Sequence, residues 1–305
     1  MCTIINFFVL LQLIALKCAD FCPRDMLKQS YIMICLCAAL LMCDGMLYAA
    51  GRKNKSDGND RKRFVLVLDA GHGGKDVGCH GDVAYEKNIT LDVARRLQRM
   101  INDSLPDVST VLTRGDDRYL TLQQRADIAN DANGDLFISI HVNSVDRRSP
   151  GRSTVSGASV YVLGADKEQK TFDVARRENA VIELEKDFTT HYTGFDPSSA
   201  ESYIIFELSS NMHLANSLKF ADIAQTQLVT TAGRADKGVR QAGFWVLWAT
   251  AMPAVLVELD FICNPKQEAF LNSADGRDDC AKALYNAFAG YYKTHNHQLT
   301  EYSIN

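Results

Sequence analysis

The amino-acid order predicts an α/β protein: a single domain with a mainly parallel, twisted sheet flanked by helices on both faces. Three observations carry that expectation. Short apolar, β-branched runs alternate with amphipathic stretches of helical period through residues 64–295. Two of these runs stop abruptly at polar residues followed by small ones, as buried strands do where they reach the rim of a sheet. Hydrophobic residues make up 47% of the chain and charged ones 23%, which is enough apolar material for a sizeable core.

The elements follow in order. FVLVLD, 64–69, reads as a buried strand. NITLDVARRLQRMIND, 88–103, spaces Ile89, Val93, Leu97 and Met100 or Ile101 along one helical face. VSTVLTR, 108–114, is a strand, and LTLQQRADIANDA, 120–132, is a helix with Leu122, Ala126 and Ala129 turned inward. DLFISIHVN, 135–143, is a strand that stays apolar up to His141, and GASVYVLG, 157–164, is another. FDVARRENAVIELEKDF, 172–188, and the stretch 202–233 read as mostly helical. Strands are expected at GFWVLWAT, 243–250, and AVLVELDF, 254–261, with helices at 265–271 and 277–292.

Ahead of this domain the composition changes. Residues 1–50 read as a leader: Lys28 follows Met26, an apolar run fills 31–43, and Ala49 or Ala50 offers a cleavage point. That order fits a start at Met26 and an exported protein of the periplasm or cell envelope. An uncleaved anchor and a lipid-modified Cys43 are the alternatives. Residues 51–63 carry six basic and two acidic groups and read as a solvated linker. The net charge of −4 implies no nucleic-acid partner. Six of the nine cysteines lie in the first 43 residues; Cys79, Cys263 and Cys280 show no metal-finger spacing and are expected as small core residues.

The loop after the first strand, GHGGKD, invites a phosphate reading that its spacing refuses. It lacks GxxxxGK[ST], Asp76 stands where GxGxxG needs its last glycine, and no helix opens directly behind it. His72 offers a different reading, as a metal ligand at the exposed end of a strand. His141 repeats the pattern at the end of another strand, and parallel strands end on the same side of a sheet. Glu86 in AYEKN, at the mouth of the first amphipathic helix, is a candidate third ligand, with His80 as its competitor. Glu258 interrupts the apolar strand VLVELDF, where an unpaired carboxylate is costly, and fits a general base beside a metal.

Taken together, LDAGHGGKDVG, YEKN, LTRGDDRYLTLQQRADIAN, DLFISIHVNS, GVRQAGFWVL and MPAVLVELDFICNP resemble the zinc-dependent N-acetylmuramoyl-L-alanine amidases, in order from about 64 to 290. The resemblance implies a single α/β domain, peptidoglycan as substrate, and Zn2+ as cofactor. It makes His72, Glu86 and His141 the zinc ligands and Glu258 the catalytic carboxylate. Asp69 and Asn143 are candidates for orienting the two imidazoles. The chain departs from the family at Asp260, where glycine is usual, at Cys263, where serine or threonine is usual, and at Trp248, where a basic residue is common. Asp260 is expected to point away from the site.

The stretch 166–215 exceeds what a crossover needs and reads as a helical insertion. In related amidases an inserted helix can cover the zinc and await an activator protein. Two readings of 173–190 stay open here: a solvated helix packed on the sheet, or a lid in which Glu178, Glu183 or Glu185 caps the metal and an activator protein is the partner. Residues 296–305 form a polar tail, and a monomer is expected. A zinc peptidase or carboxypeptidase acting on wall peptides is the alternative enzyme, although HExxH is absent. A non-catalytic wall-binding module is the third reading.

Overall fold

Six strands pair into one sheet in the computed structural model, which describes residues 63–164, 169–185, 192, 195–203 and 212–302. The strands are β1 (Phe64–Ala70), β2 (Val108–Leu112), β3 (Leu136–Asn143), β4 (Ala158–Leu163), β5 (Asp236–Ala242) and β6 (Ala254–Phe261). Their order is β2-β1-β3-β6-β4-β5. The pairs β1–β2, β1–β3, β3–β6 and β4–β5 are parallel, while β4 runs antiparallel to β6. The sheet is therefore mixed but mainly parallel, as the alternation of strands and helices predicts.

The pleat sends alternate side chains to two cores. Leu66 and Leu68 of β1 join one cluster while Val67 joins the other. The first face is covered by α1 (Glu86–Ser104), α4 (Leu214–Thr230) and α7 (Ala274–Tyr302). The second is covered by α2 (Leu122–Asp131), α3 (Gln169–Asn179) and the single turn α5 (Trp245–Trp248). Helix α6 (Pro265–Asn272) precedes α7, and 3-10 turns occupy Ala180–Leu184 and Ala200–Tyr203. On α1 the predicted stripe Ile89, Val93, Leu97 and Ile101 is fully buried. Burial of such side chains is worth about 1.5–3 kcal/mol each, which outweighs the modest helix propensity of the β-branched members. Helix α2 starts at a capping box in which Thr121 and Gln124 bond reciprocally.

Three expectations need correction. The strand expected at 243–250 is not one: β5 lies just before it, and Trp245–Trp248 is a helical turn. Trp245, Val246 and Leu247 are all buried, so their apolar run carries no period to separate strand from helix, while β5 is a half-exposed edge strand with little apolar signal. The helix expected over 172–188 ends at Asn179 and tightens into the 3-10 turn; 186–191 lie outside the described residues, as do 165–168, 193–194 and 204–211. The last helix runs beyond 292 to Tyr302. The leader and all but the last residue of the linker fall outside the described residues. Cys79, Cys263 and Cys280 are free thiols.

A bulge in β6 matters for the site. His141 pairs with Glu258, but Asn143 pairs with Phe261, so β6 carries one extra residue between them. On an ideal strand Asp260 would share a face with Glu258. After the bulge its carboxylate instead accepts from Gly157 N at 2.8 Å and pairs with Arg234 at 3.0 Å.

Candidate functional site

Side chains distant in sequence and able to bind a metal meet at one rim of the sheet. His72 follows β1, His141 lies near the end of β3, and Glu86 opens α1. One ligand atom each from His72, Glu86, His141 and Glu178 lie within 4.8 Å of one another, and all four residues are buried. His72 Nε2 is 3.2 Å from Glu86 Oε2 and 3.1 Å from Glu178 Oε2. His141 Nδ1 is 3.1 Å from Glu86 Oε1 and 3.2 Å from Glu178 Oε2. His80, the competitor, is exposed and bonds Gly81 O and Arg147 instead.

The glycine loop permits this convergence. A Cβ on Gly71 would lie 2.5 Å from the His141 ring, and one on Gly78 would lie 2.6 Å from both Glu86 Oε2 and the His72 ring. His72 itself has φ of 61°, in the left-handed region that is unfavourable for most side chains. The loop is clamped through its carbonyls. Arg114 donates to Ala70 O and Gly71 O at 2.8 Å each, Thr90 Oγ1 donates to Gly71 O at 2.9 Å, and Arg125 donates to His72 O at 2.7 Å.

The expected roles of Asp69 and Asn143 do not hold. Asp69 accepts from Thr113, Arg125 and Ser139, so its carboxylate is consumed in anchoring the loop and α2. Asn143 accepts from Ser144 N and Arg177. The partner of His72 is Asp76, whose Oδ2 lies 2.8 Å from Nδ1. That bond directs Nε2 into the cluster. Glu86 is fixed by backbone amides: Oε1 accepts from Val142 N at 2.8 Å and Oε2 from Cys79 N at 2.7 Å.

Glu258 stands beside His141 on the neighbouring strand and is fully buried. Neither of its carboxylate oxygens has a hydrogen-bond partner among the described residues, and Arg177 lies 3.6 Å away. Burial and the nearby Glu178 push its pKa up to about 8, against the opposing charge of Arg177. Burial resists charge on the imidazoles, yet the charge of Glu86 and the adjoining carboxylates of Asp76 and Glu178 hold His72 well above the usual histidine range. For His141, Glu178 and Glu86 overcome burial and push the pKa up to about 9. Glu86 is held at about 2 in spite of burial, chiefly by His72. Glu178 is held well below the usual range, with Arg177 and His141 overcoming its burial.

The residues fit a divalent metal. His72 Nε2 and Glu178 Oε2 are buried without a hydrogen bond among the described residues, facing the same small space. Two imidazoles and a carboxylate form a common catalytic zinc set, and a second carboxylate, that of Glu178, lies beside them. The carboxylates that draw protons onto the imidazoles would offer the same charge to an ion. Glu178 comes from α3, the first described helix of the insertion, and its neighbour Arg177 bonds its Oε1 at 3.0 Å. Sequence reasoning offered Glu178 as one of three glutamates and missed Asp76, four residues from His72, and Arg177.

Comparison with known proteins agrees with this architecture. Residues 66–289 match the N-acetylmuramoyl-L-alanine amidase family (Amidase_3). The chain is 31% identical over 241 residues to the N-acetylmuramoyl-L-alanine amidase AmiC of Escherichia coli O6:H1, covering 77% of this chain and 54% of AmiC. It is 29% identical over 250 residues to AmiA of Escherichia coli K12, covering 81% of each. The catalytic domain of CwlV from Bacillus (Paenibacillus) polymyxa var. colistinus superposes with a TM-score of 0.55 at 27% identity, covering 75% of this chain and 98% of CwlV's domain. The aligned part thus spans about half the length of AmiC. With a family match across most of its length, the chain belongs to the N-acetylmuramoyl-L-alanine amidase family.

Proposed function

We propose that the protein hydrolyses the amide between the lactyl group of N-acetylmuramic acid and L-alanine in peptidoglycan, using zinc held by His72, Glu86 and His141. The observation that carries this reading is the buried convergence of those three side chains beside Glu258 on the adjoining strand. When bound, a zinc ion supplies Lewis acidity, polarising a carbonyl and making water a better acid. Asp76 holds His72 with Nε2 inward, and the amides of Cys79 and Val142 hold Glu86. Glu258 takes a proton from the attacking water and passes it to the departing nitrogen. The carbon–nitrogen bond breaks, leaving a lactyl carboxylate and a free L-alanine amino group. With α3 in place, burial and the charge of Glu178 hold Glu258 at about 8, against the charge of Arg177.

In this reading α3 is a lid. Glu178 would compete with water and substrate for a bound ion, and Arg177 lies 3.6 Å from the catalytic carboxylate. An activator protein acting on the insertion would withdraw both. We also assign residues 1–50 as the export leader, 51–63 as the linker and 64–295 as the catalytic domain of a monomeric enzyme of the cell envelope, active in cell separation. Among the described residues no helix is long and apolar enough to cross a membrane.

Digestion of purified peptidoglycan tests the chemistry. New L-alanine amino groups are expected, together with loss of activity in His141→Ala. New D-amino acid termini would overturn the amidase in favour of a peptidase.

A further inference from the structure

Beyond Glu258 the chain leaves β6 and enters α6, where a second glutamate is buried. Glu268 is 4% exposed, and its charge is met by the amides of a distant loop. Oε1 accepts from Val83 N and Ala84 N at 2.8 Å each, and Oε2 accepts from Asp82 N at 2.9 Å. Three consecutive amides aimed at one carboxylate form a nest for an anion. The fit is close: a Cβ on Gly81 would lie 2.3 Å from both Cδ and Oε1 of Glu268. The backbone of Gly81 is not left-handed, so space rather than conformation requires glycine there.

The loop so held is a hairpin that ends at a side chain of the buried cluster. His80 and Tyr85 bridge in antiparallel fashion, and Gly81 N donates to Ala84 O at 3.0 Å. Further down the legs, Cys79 brackets Glu86: its carbonyl accepts from Glu86 N at 2.9 Å, and its amide donates to Glu86 Oε2 at 2.7 Å. That oxygen is the one 3.2 Å from His72 Nε2. Apolar burial does little to hold the hairpin. His80, Asp82 and Tyr85 are exposed, Val83 is 75% exposed, and Ala84 alone of the tip is buried. One buried methyl group contributes less than three hydrogen bonds to a charged acceptor. Helix α6, in contrast, is firmly seated. Asn264 caps it by accepting from Lys266 N at 3.0 Å, and Leu271 is fully buried in the first core.

We propose that Glu268 is a positioning residue for Glu86: by gripping the tip of the hairpin it fixes the register of the two legs, and so presents the Cys79 amide to the Glu86 carboxylate. The inference rests on the assignment of Glu86 as a metal ligand. Glu268 touches neither ion nor substrate. It acts by denying the Glu86 carboxylate other directions, so that the free-energy cost of orienting that donor is met by the fold before an ion arrives. The grip also joins two parts of the site. The segment that follows Glu258 out of β6 is the one that holds the hairpin leading to Glu86.

The test is the zinc affinity of the full chain, read by competition with a chromogenic chelator. Glu268→Gln keeps the shape of the side chain but turns an NH2 group toward backbone N–H groups. It should weaken zinc binding about 10-fold, the low end of what outer-shell partners cost. Gly81→Ala drives a methyl group into the same carboxylate and should weaken binding by a similar factor, and it carries the comparison if Glu268→Gln does not fold. In both variants, hydrogen exchange in the zinc-free chain should speed up at the amides of Cys79, Asp82, Val83 and Ala84, and stay at wild-type rates in β3 and β6. Leu228→Ala is the control for a merely structural role. It opens a cavity beneath α4 and should lower Tm while leaving zinc affinity unchanged. Unchanged affinity in the folded Glu268→Gln and Gly81→Ala chains overturns the positioning role, as does an equal loss in Leu228→Ala; neither result touches the assignment of Glu86. A wild-type chain that binds no zinc, or a Glu86→Ala chain that binds it as well as the wild type, overturns that assignment and the positioning role with it.

Discussion

The rim of the sheet and helix α3 deliver the same kinds of side chain to one point, yet they hold them differently. His72, Glu86, His141 and Glu258 come from two strands, a clamped loop and a helix start, each locked by backbone amides, arginines or neighbouring strands. Glu178 and Arg177 come from a helix that buries Val174 and Ala175 on one side and leaves Asp173 and Arg176 exposed. The difference teaches which donors are permanent. A group built into a parallel sheet leaves only with the fold, whereas one on an inserted helix can leave alone at the cost of that helix's own contacts.

The sharpest way to break this comparison is at the permanent side. Glu258→Gln should lower kcat by about 10²–10⁴-fold, the usual weight of a proton-transfer group, while metal content measured by atomic absorption stays at the wild-type level. A loss of metal with the activity would move Glu258 into the ligand set. Next is the anchor beneath the loop. Arg125→Ala would leave the buried Asp69 carboxylate unpaired, and should cost about 3–5 kcal/mol in denaturant unfolding. The same pair sets an acid limit. Burial would raise Asp69, but Arg125, Thr113 and Ser139 outweigh it and the pKa lies below the usual aspartate value. Its contribution is therefore complete above the unfolded value of about 4 and is lost as pH falls through the lower folded value. Thermal unfolding followed down from pH 5 should show that loss in the wild type, and a flatter curve in Asp69→Asn.

Two smaller effects sharpen the contrast. Asp76→Asn should weaken metal binding about 10–100-fold, because it removes the group that orients His72 without removing a ligand. Competition with a chelator reads this directly, and an unchanged affinity would leave the His72 rotamer to the loop alone. On the removable side, Glu178→Gln should raise wall-lytic activity several-fold and should not reduce metal content. A fall in activity would make Glu178 part of the working site and end the lid reading.

Much of this was legible in the sequence because it sits on regular elements. His141 and Glu258 each interrupt an apolar strand, and His72 and Glu86 flank a glycine loop whose spacing excludes phosphate motifs. The strand pattern gave the sheet, apart from β5, whose exposed edge carries few apolar residues. What stayed hidden depends on side-chain reach. Asp76 is one of many loop acids until the left-handed turn at His72 brings Nδ1 over it. Arg177 belongs to an ordinary charged helix until α3 is docked, and Asp69 reads as a site acid until Arg125 is seen to claim it. Asp260 turns from the site only because of the bulge in β6, since the pleat alone would set it on the face of Glu258.

The left-handed backbone at His72 also limits how this position can change its chemistry. Among side chains able to bind a metal, histidine, aspartate and asparagine tolerate such dihedrals best, while a cysteine would sit there under strain. Drift at this residue is thereby channelled toward oxygen donors, which favour harder ions, and away from thiolate chemistry.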